Sequence, residues 1–545
     1  MQNYYFYRRY RFAAQAISTA VMLMWCAVSL AADPIKTEGG LLQGSVEDGL
    51  RIYRGIPYAA PPIGDLRWKA PQAAAKWDGV KPADQFGRAC IQTNAAIKDL
   101  PAPSEDCLYL NVWTPTKSEN EKLAVMVWIH GGGFTAGTPA EKTYHGEWLA
   151  KKGVIVVSIG YRLGVMGFLA HPDLSAENPN KVSGNYGLLD MIAGLKWVQK
   201  NIGKFGGDPN RITIFGESAG SAAVSILCAS PAAKGLFQRA IAESGASFAP
   251  VRANAGLGDG MNPLSAAEKS GAEWAKAQGA LTIAELRKMS AEKLQAASQR
   301  QSGIASPNVD GSVIAGDQYK LYLDGNYNDV PVIVGYNSDE GALFGGAASK
   351  EAHVESTRQR FGPLADKVLA AYPGGDTPAE KRTVRNLMRD SSFGSHSWSW
   401  VRLQTKTGKS KAYFYFFDVH PEYPADSQKA GFGAAHAAEL PYTFHQLGPN
   451  PNHPTPVTAE DERMSDMMRS YWTNFAKTGD PNGPGLPKWT PYGDKSPQQM
   501  HISFGSTMMS PVADESGLKA LDEYFAWRRS GEAKAPAAGK QDAVE

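Results

Sequence analysis

The stretch RITIFGESAGSAAVSIL, at residues 211–227, is the most informative part of the sequence. Its first five residues, 211–215, form an apolar run typical of a buried strand, and the small and apolar residues at 222–227 suit a helix packed on a sheet. Between them lies GESAG at 216–220, in which Ser218 has glycines on both sides. A serine in so tight a turn takes a strained backbone conformation, and its neighbours need little or no side chain. The stretch therefore predicts a nucleophile elbow that presents the Ser218 hydroxyl above the edge of a sheet.

A second motif places backbone donors at the end of another strand. The apolar run at 124–129 leads directly into HGGGF at 130–134, where three glycines leave backbone N–H groups uncovered by side chains. Ester hydrolysis passes through a tetrahedral intermediate with a negatively charged oxygen, and each donor aimed at that oxygen contributes about 3–4 kcal/mol to its stabilisation. In α/β-hydrolases such a glycine loop and the N–H after the nucleophile form the oxyanion hole. The expected donors here are Gly132, Gly133 and Ala219.

The composition of the 545-residue chain favours a large globular enzyme. Hydrophobic residues make up 43% and aromatic residues 10% of the sequence, which is ample for a sizeable core. The 56 Lys and Arg residues nearly balance the 54 Asp and Glu residues, so the charge provides no basis for binding nucleic acid or an anionic membrane. Because the sequence contains no cysteine–histidine cluster that would bind a metal, no cofactor or metal is expected.

Residues 1–31 are predicted to be a secretory signal peptide. Three arginines precede an apolar stretch at 12–30, and small residues at 29–31 suit a cleavage site. We expect this segment to be removed on export. The mature protein would then be secreted or periplasmic and would keep no membrane anchor.

Apolar, β-branched runs alternate with helical patterns along the rest of the chain. The predicted strands lie at 123–129, 154–160, 211–215, 238–242, 331–335 and 412–419. Such alternation predicts a large, mostly parallel central sheet flanked by helices on both faces, the α/β class. Polar helical segments at about 260–320 and 353–400 are expected to be insertions over the sheet and the active site. We predict one α/β-hydrolase domain at 32–530, followed by a disordered tail at 531–545.

Two carboxylates follow one of these predicted strands. The strand at 331–335 opens onto YNSDEG at 336–341, which brings Asp339 and Glu340 to the carboxyl end of the sheet, where active sites of open sheets lie. A serine nucleophile needs a base, and the base needs an orienting acid. In α/β-hydrolases the acid follows the serine and precedes the histidine. The sequence pattern alone leaves both carboxylates as candidates.

Seven histidines follow these carboxylates, and His436 is the preferred base. Glycines and alanines at 431–438 surround it, which would leave room for a substrate beside the imidazole. It also follows the predicted strand at 412–419. His445 is the second candidate.

Further motifs occur in the order found in one known family. They include RGIPYA at 54–59, SEDCLYLN at 104–111, GNYGLLD at 184–190 and GDPN at 479–482. From about residue 36 to about residue 500 the chain resembles the type-B carboxylesterases, a family that includes bacterial para-nitrobenzyl esterases and the cholinesterases. The resemblance implies an α/β-hydrolase fold and a carboxylic ester hydrolase that acts on a small-molecule ester through an acyl-enzyme.

The resemblance also implies a role for individual residues. Ser218 would be the nucleophile, Glu340 the acid and His436 the base. Glu217, beside the nucleophile, would line the gorge and tune His436 electrostatically. Two alternatives are a thioesterase or amidase with the same residues and a non-catalytic adhesion homologue. The second fits poorly, because every catalytic position is retained.

The cysteines are consistent with export. Cys90 and Cys107 are close enough in sequence to bridge a short loop in an oxidising compartment, and the resemblance supports this disulfide. Cys228 is expected to be a buried thiol. The enclosed loop, 91–106, contains no Trp, Tyr or Phe, whereas cholinesterase-like members place a Trp there to hold a quaternary ammonium. Choline esters are therefore not expected to be preferred substrates.

Overall fold

The computed structural model describes residues 30–92, 102–252, 260–298, 303–344, 349–421, 429, 431–448 and 456–531. Apart from residues 30 and 31, the predicted signal peptide lies outside these ranges. The predicted tail lies outside them too, except for residue 531.

The described residues form seventeen strands. They are β1 (Leu30–Ala31), β2 (Ile35–Lys36), β3 (Leu41–Gln43), β4 (Ser45–Glu47), β5 (Leu50–Pro57), β6 (Val80–Pro82), β7 (Tyr109–Thr114), β8 (Leu123–Ile129), β9 (Ile155–Ile159), β10 (Gly207–Glu217), β11 (Arg239–Glu243), β12 (Asn262–Pro263), β13 (Asn308–Val309), β14 (Val332–Asn337), β15 (Ala412–Phe417), β16 (Gln498–Ile502) and β17 (Met508–Pro511).

The same residues form sixteen α-helices. They are α1 (Glu147–Ala150), α2 (Gly164–Phe168), α3 (Pro172–Glu177), α4 (Tyr186–Asn201), α5 (Ala219–Ala229), α6 (Leu264–Ala277), α7 (Ile283–Lys288), α8 (Ala291–Ser298), α9 (Gln318–Leu323), α10 (Lys350–Phe361), α11 (Ala365–Ala371), α12 (Pro378–Arg389), α13 (Ser395–Thr407), α14 (Leu440–Phe444), α15 (Ala459–Thr478) and α16 (Glu515–Arg529). A π-helical turn, Asp390–Gly394, joins α12 to α13.

One large sheet organises the molecule. Twelve strands follow one another in the order β1-β4-β5-β7-β9-β8-β10-β11-β14-β15-β16-β17. Neighbours from β9 to β16 are parallel, whereas the outer strands on both sides pair antiparallel. The six strands predicted from the sequence all lie in this parallel centre, which confirms the predicted fold class. The antiparallel edges make the whole sheet mixed.

The two faces of the sheet bury separate apolar cores because side chains alternate along each strand. In β8, Val125, Val127 and Ile129 pack into the core beneath α4 and α5. Met126 and Trp128 point to the opposite face, which α15 covers. Strands buried on both faces are continuously apolar, and this property explains why the central strands could be recognised in the sequence.

Cys90 and Cys107 are joined by a disulfide, as predicted. Closing a loop of this length contributes about 3 kcal/mol to stability by restricting the unfolded chain. Cys228 is buried in α5, and burial raises the pKa of its thiol. None of the helices in the described ranges combines the length and the apolar character needed to span a bilayer.

Candidate active site

Ser218 lies in the sharp turn between β10 and α5. Its backbone angles are φ 57° and ψ −122°, a conformation that a residue with a side chain rarely adopts. A Cβ on Gly216 would lie 2.6 Å from the carbonyl carbon of Gly220, and a Cβ on Gly220 would lie 2.0 Å from the Ile129 oxygen. The two flanking glycines are therefore required for the turn. The backbone amide of Ser218 donates to the backbone carbonyl of Glu243 at 3.0 Å, and this bond connects the turn to β11.

The glycine loop after β8 lies directly against this turn. A Cβ on Gly131 would lie 3.1 Å from the Ser218 Cβ. Gly132 and Gly133 have φ values of 100° and 62°, in the region that favours glycine. His130 stacks on Tyr161 with 4.4 Å between ring centroids. Burial lowers the pKa of His130 to about 4, so this histidine stays neutral and supports the loop without charge.

Glu340 and His436 meet at the carboxyl ends of β14 and β15. The His436 Nδ1 lies 2.6 Å from the Glu340 Oε2, and the backbone N–H of Asn337 donates to the Glu340 Oε1 at 2.7 Å. Glu340 is fully buried. The pair has the geometry in which a carboxylate orients an imidazole and stabilises its charged form.

Asp339 has different partners from its neighbour. Its carboxylate accepts from the Arg385 Nε at 3.0 and 3.1 Å and from the Gly433 amide at 3.1 Å. The sequence left both carboxylates as candidates for the acid. Of these two residues, only Glu340 contacts His436 in the structure.

His445, the second candidate base, lies in another environment at the end of α14. Its Nδ1 is 2.9 Å from the Ser465 hydroxyl, and its ring packs on Trp148 with 4.3 Å between centroids. These contacts hold the ring between α14, α15 and α1.

Glu217 also reaches the His436 imidazole. Its Oε1 lies 3.2 Å from the His436 Nε2, the nitrogen on the opposite side from Glu340. Burial disfavours the charged imidazole, but the carboxylates of Glu217 and Glu340 outweigh this effect and raise the pKa of His436 to about 9. Burial raises the pKa of Glu217 to about 8, against the attraction of His436. The imidazole therefore lies between two buried carboxyl groups.

Two further buried glutamates adjoin the site and were not predicted from the sequence. The Glu439 carboxylate accepts a hydrogen bond from the side-chain amide of Asn337, and burial raises the pKa of Glu439 to about 7. Glu243 accepts from the Trp472 indole at 3.0 Å, and burial raises its pKa strongly. Glu243 is the last residue of the apolar strand β11. A carboxylate at the end of an apolar strand is the sequence signal that could have indicated this buried glutamate.

Two phenylalanines also flank the imidazole of His436. The Phe393 ring lies 4.8 Å from it and the Phe344 ring 5.4 Å, measured between centroids. Phe344 is 51% exposed. Phe393 belongs to the π-helical turn, a feature frequent at functional sites. Because a π-helical turn has no clear sequence pattern, the sequence did not predict the role of this turn.

A strained serine between a strand and a helix, with an acid and a histidine after later strands of a parallel sheet, defines an α/β-hydrolase. The model of the carboxylesterase family matches residues 31–516, and the chain belongs to this family of carboxylic ester hydrolases. This result confirms the family and the enzyme class that the sequence predicted.

Individual relatives cover nearly the whole chain. The para-nitrobenzyl esterase of Bacillus subtilis is 36% identical over 507 residues, which span 89% of this chain and 98% of the relative. The fumonisin B1 esterase of Sphingopyxis macrogoltabida is 36% identical over 492 residues, 86% of this chain and 87% of the relative. A solved structure of a PNB esterase superposes with a TM-score of 0.78 at 32% identity and covers 90% of this chain and 99% of the other.

Proposed function

We propose that this protein is an exported serine carboxylesterase that uses Ser218, His436 and Glu340. The 2.6 Å contact between the His436 Nδ1 and the Glu340 Oε2 carries the proposal. It fixes one imidazole nitrogen on the acid, and the other, Nε2, faces the elbow residue Glu217, whose Oε1 lies 3.2 Å away. The strained turn at Ser218 and the esterases among the relatives support the same function.

The proposed reaction forms and breaks a serine ester. The His436 Nε2 accepts the Ser218 proton while the serine oxygen attacks the ester carbonyl carbon. The bond to the alcohol oxygen then breaks, and the imidazolium returns its proton to that oxygen. A water molecule repeats the sequence on the acyl-enzyme and releases the carboxylic acid and the free serine. Glu340 keeps Nδ1 as the donor and stabilises the imidazolium.

The backbone amides of Gly132, Gly133 and Ala219 are the proposed oxyanion donors. Their position supports this role, because Gly131 approaches Ser218 closely and the next two glycines carry no side chain that could shield their amides. Each such donor is worth about 3–4 kcal/mol in the transition state.

We also propose that the protein is exported to the periplasm or the medium. The disulfide between Cys90 and Cys107 supports it, since such bonds persist in oxidising compartments. The signal peptide at 1–31 remains a prediction from the sequence.

Phe344 and Phe393 point to esters with an apolar or aryl alcohol part. The alcohol oxygen must take its proton from the His436 Nε2, so the leaving group has to pass close to the imidazole. The two rings beside that imidazole provide an apolar surface there. The choline-ester prediction rests on the loop 91–106, most of which lies outside the described residues.

A matched panel tests esterase against thioesterase and amidase activity. The same short acyl group is offered as a p-nitrophenyl ester, a phenyl thioester and a p-nitroanilide, and kcat/KM is measured for each. We expect the ester to have the highest kcat/KM and the anilide the lowest. A higher value for the thioester or the anilide than for the ester would reassign the activity.

The Glu217→Gln variant is expected to move the pH profile of kcat/KM to lower pH. His436 acts as a base only when neutral, and the Glu217 carboxylate favours its charged form. Removing one negative charge lowers the pKa of the imidazole, so the active neutral form persists to lower pH. The inflection should fall by about one pH unit. The control is Glu355→Gln on the exposed side of α10, which should leave the profile in place. An inflection that stays or rises in Glu217→Gln would contradict this role.

A further inference from the structure

Helix α12 presents three arginines on one face. Arg382, Arg385 and Arg389 are spaced by three and four residues, which brings them to the same side of an α-helix. This face covers two loops of the active site. We define the acid loop as residues 338–340 and the histidine loop as residues 431–436.

Two backbone carbonyls each receive two of these arginines. The Ser338 oxygen, in the acid loop, accepts from the Arg382 Nη2 at 2.9 Å and the Arg389 Nη1 at 3.0 Å. The Gly431 oxygen, in the histidine loop, accepts from the Arg382 Nη1 at 3.1 Å and the Arg385 Nη2 at 3.2 Å. Arg382 thus binds both loops at once.

Asp339 is the acidic centre of the same contact. Its carboxylate is fully buried and accepts from the Arg385 Nε at 3.0 Å, with the Arg382 Nη1 at 3.3 Å. The Gly433 amide donates to this carboxylate at 3.1 Å, and the Asp339 amide donates to the Ala434 oxygen at 2.8 Å. Asp339 therefore links α12, the acid loop and the histidine loop.

These contacts lie next to the two residues whose relative position matters most for the reaction. Asp339 directly precedes Glu340, and Ala434 lies two residues before His436. A buried carboxylate with several charge-assisted hydrogen bonds permits little movement, since loss of one partner leaves an uncompensated charge. In an active site a displacement of about 1 Å can cost about a hundredfold in rate.

We infer that the arginine face of α12 positions the acid loop against the histidine loop and so holds Glu340 at hydrogen-bond distance from His436. Arg382, Arg385 and Asp339 are positioning residues, because none of them needs to touch the substrate. The inference rests on the proposed roles of Glu340 and His436. A helix that only stabilised the fold would share the same contacts, so the experiment must separate catalysis from stability.

A double-mutant cycle between Arg385 and Glu340 makes this separation. The values of kcat and KM are measured from steady-state initial rates with a p-nitrophenyl ester for wild type, Arg385→Gln, Glu340→Gln and the double variant, and Tm is measured for all four. If Arg385 acts through Glu340, Arg385→Gln lowers kcat about tenfold in the wild-type background and less than about twofold in the Glu340→Gln background. Its effect on Tm should be the same in both, and KM should change little.

Two further variants keep the result interpretable. Arg382→Gln, at the more exposed end of the contact, should show the same pattern if Arg385→Gln folds poorly. Arg402→Gln is the control, because Arg402 pairs with Asp522 at 3.0 Å on neighbouring helices, and its kcat should stay within about twofold of wild type.

Equal losses of kcat in both backgrounds would overturn the inference, as would unchanged kcat in both Arg385→Gln and Arg382→Gln. Full turnover in Glu340→Gln alone would instead refute the acid on which the inference rests.

Discussion

Ser218→Ala is expected to lower ester hydrolysis by about four to six orders of magnitude, as the loss of a catalytic serine does in other hydrolases. The alanine removes the only atom that forms the acyl-enzyme in the proposed reaction. The fold should be retained, because alanine fits the space that the serine occupies in the same tight turn. Initial rates with a p-nitrophenyl ester and a thermal melt measure the two effects.

A serine on the helix that follows Ser218 provides the matched control for this variant. Ser225 is buried in α5, and its hydroxyl accepts from the Gln318 amide group at 2.6 Å. Ser225→Ala should lower stability by about 1 kcal/mol and leave turnover near that of wild type. If Ser218→Ala kept a tenth of the wild-type rate, the nucleophile would have to be another residue.

Glu340→Gln should lower kcat by about ten thousandfold, because an amide no longer stabilises the imidazolium and favours the wrong tautomer. The structure gives this residue the direct contact with the His436 Nδ1. Asp339→Asn should keep activity within about a hundredfold of wild type, since its effect reaches the imidazole only through the loops. The kcat values of the two variants are compared from steady-state rates on the same ester.

Comparing Glu340→Gln with Asp339→Asn also shows which of these two residues is the catalytic acid, a choice that the sequence could not make. A larger loss in Asp339→Asn than in Glu340→Gln would move the catalytic acid to Asp339. If both variants lost only a little kcat, neither carboxylate would have the proposed role in the reaction.

Local patterns were sufficient for the centre of the fold. The strands from β8 to β15 in the parallel part are buried on both faces, so their apolar runs are visible in the sequence. The elbow at Ser218 and the glycine loop are likewise local, because sterics dictate their glycines. The short edge strand β17 has no comparable apolar run, and its residues are exposed or half-buried.

The rest of the site depends on contacts between distant segments. Asp339 and Glu340 are adjacent in the sequence, and only the approach of Arg385 to one and His436 to the other distinguishes them. The approach of Phe393 to His436 depends on the π-helical turn after α12. The buried Glu439 is visible only once its neighbours in three dimensions are known.

Covalent labelling tests whether Ser218 is the nucleophile. The protein is treated with a p-nitrophenyl alkylphosphonate, which phosphonylates an activated serine and releases p-nitrophenolate, and the adduct is mapped by peptide mass spectrometry. The proposed reaction predicts one adduct per chain, on the peptide that contains Ser218, with loss of esterase activity in the same proportion. Full labelling at another residue, or loss of activity without an adduct on Ser218, would contradict it.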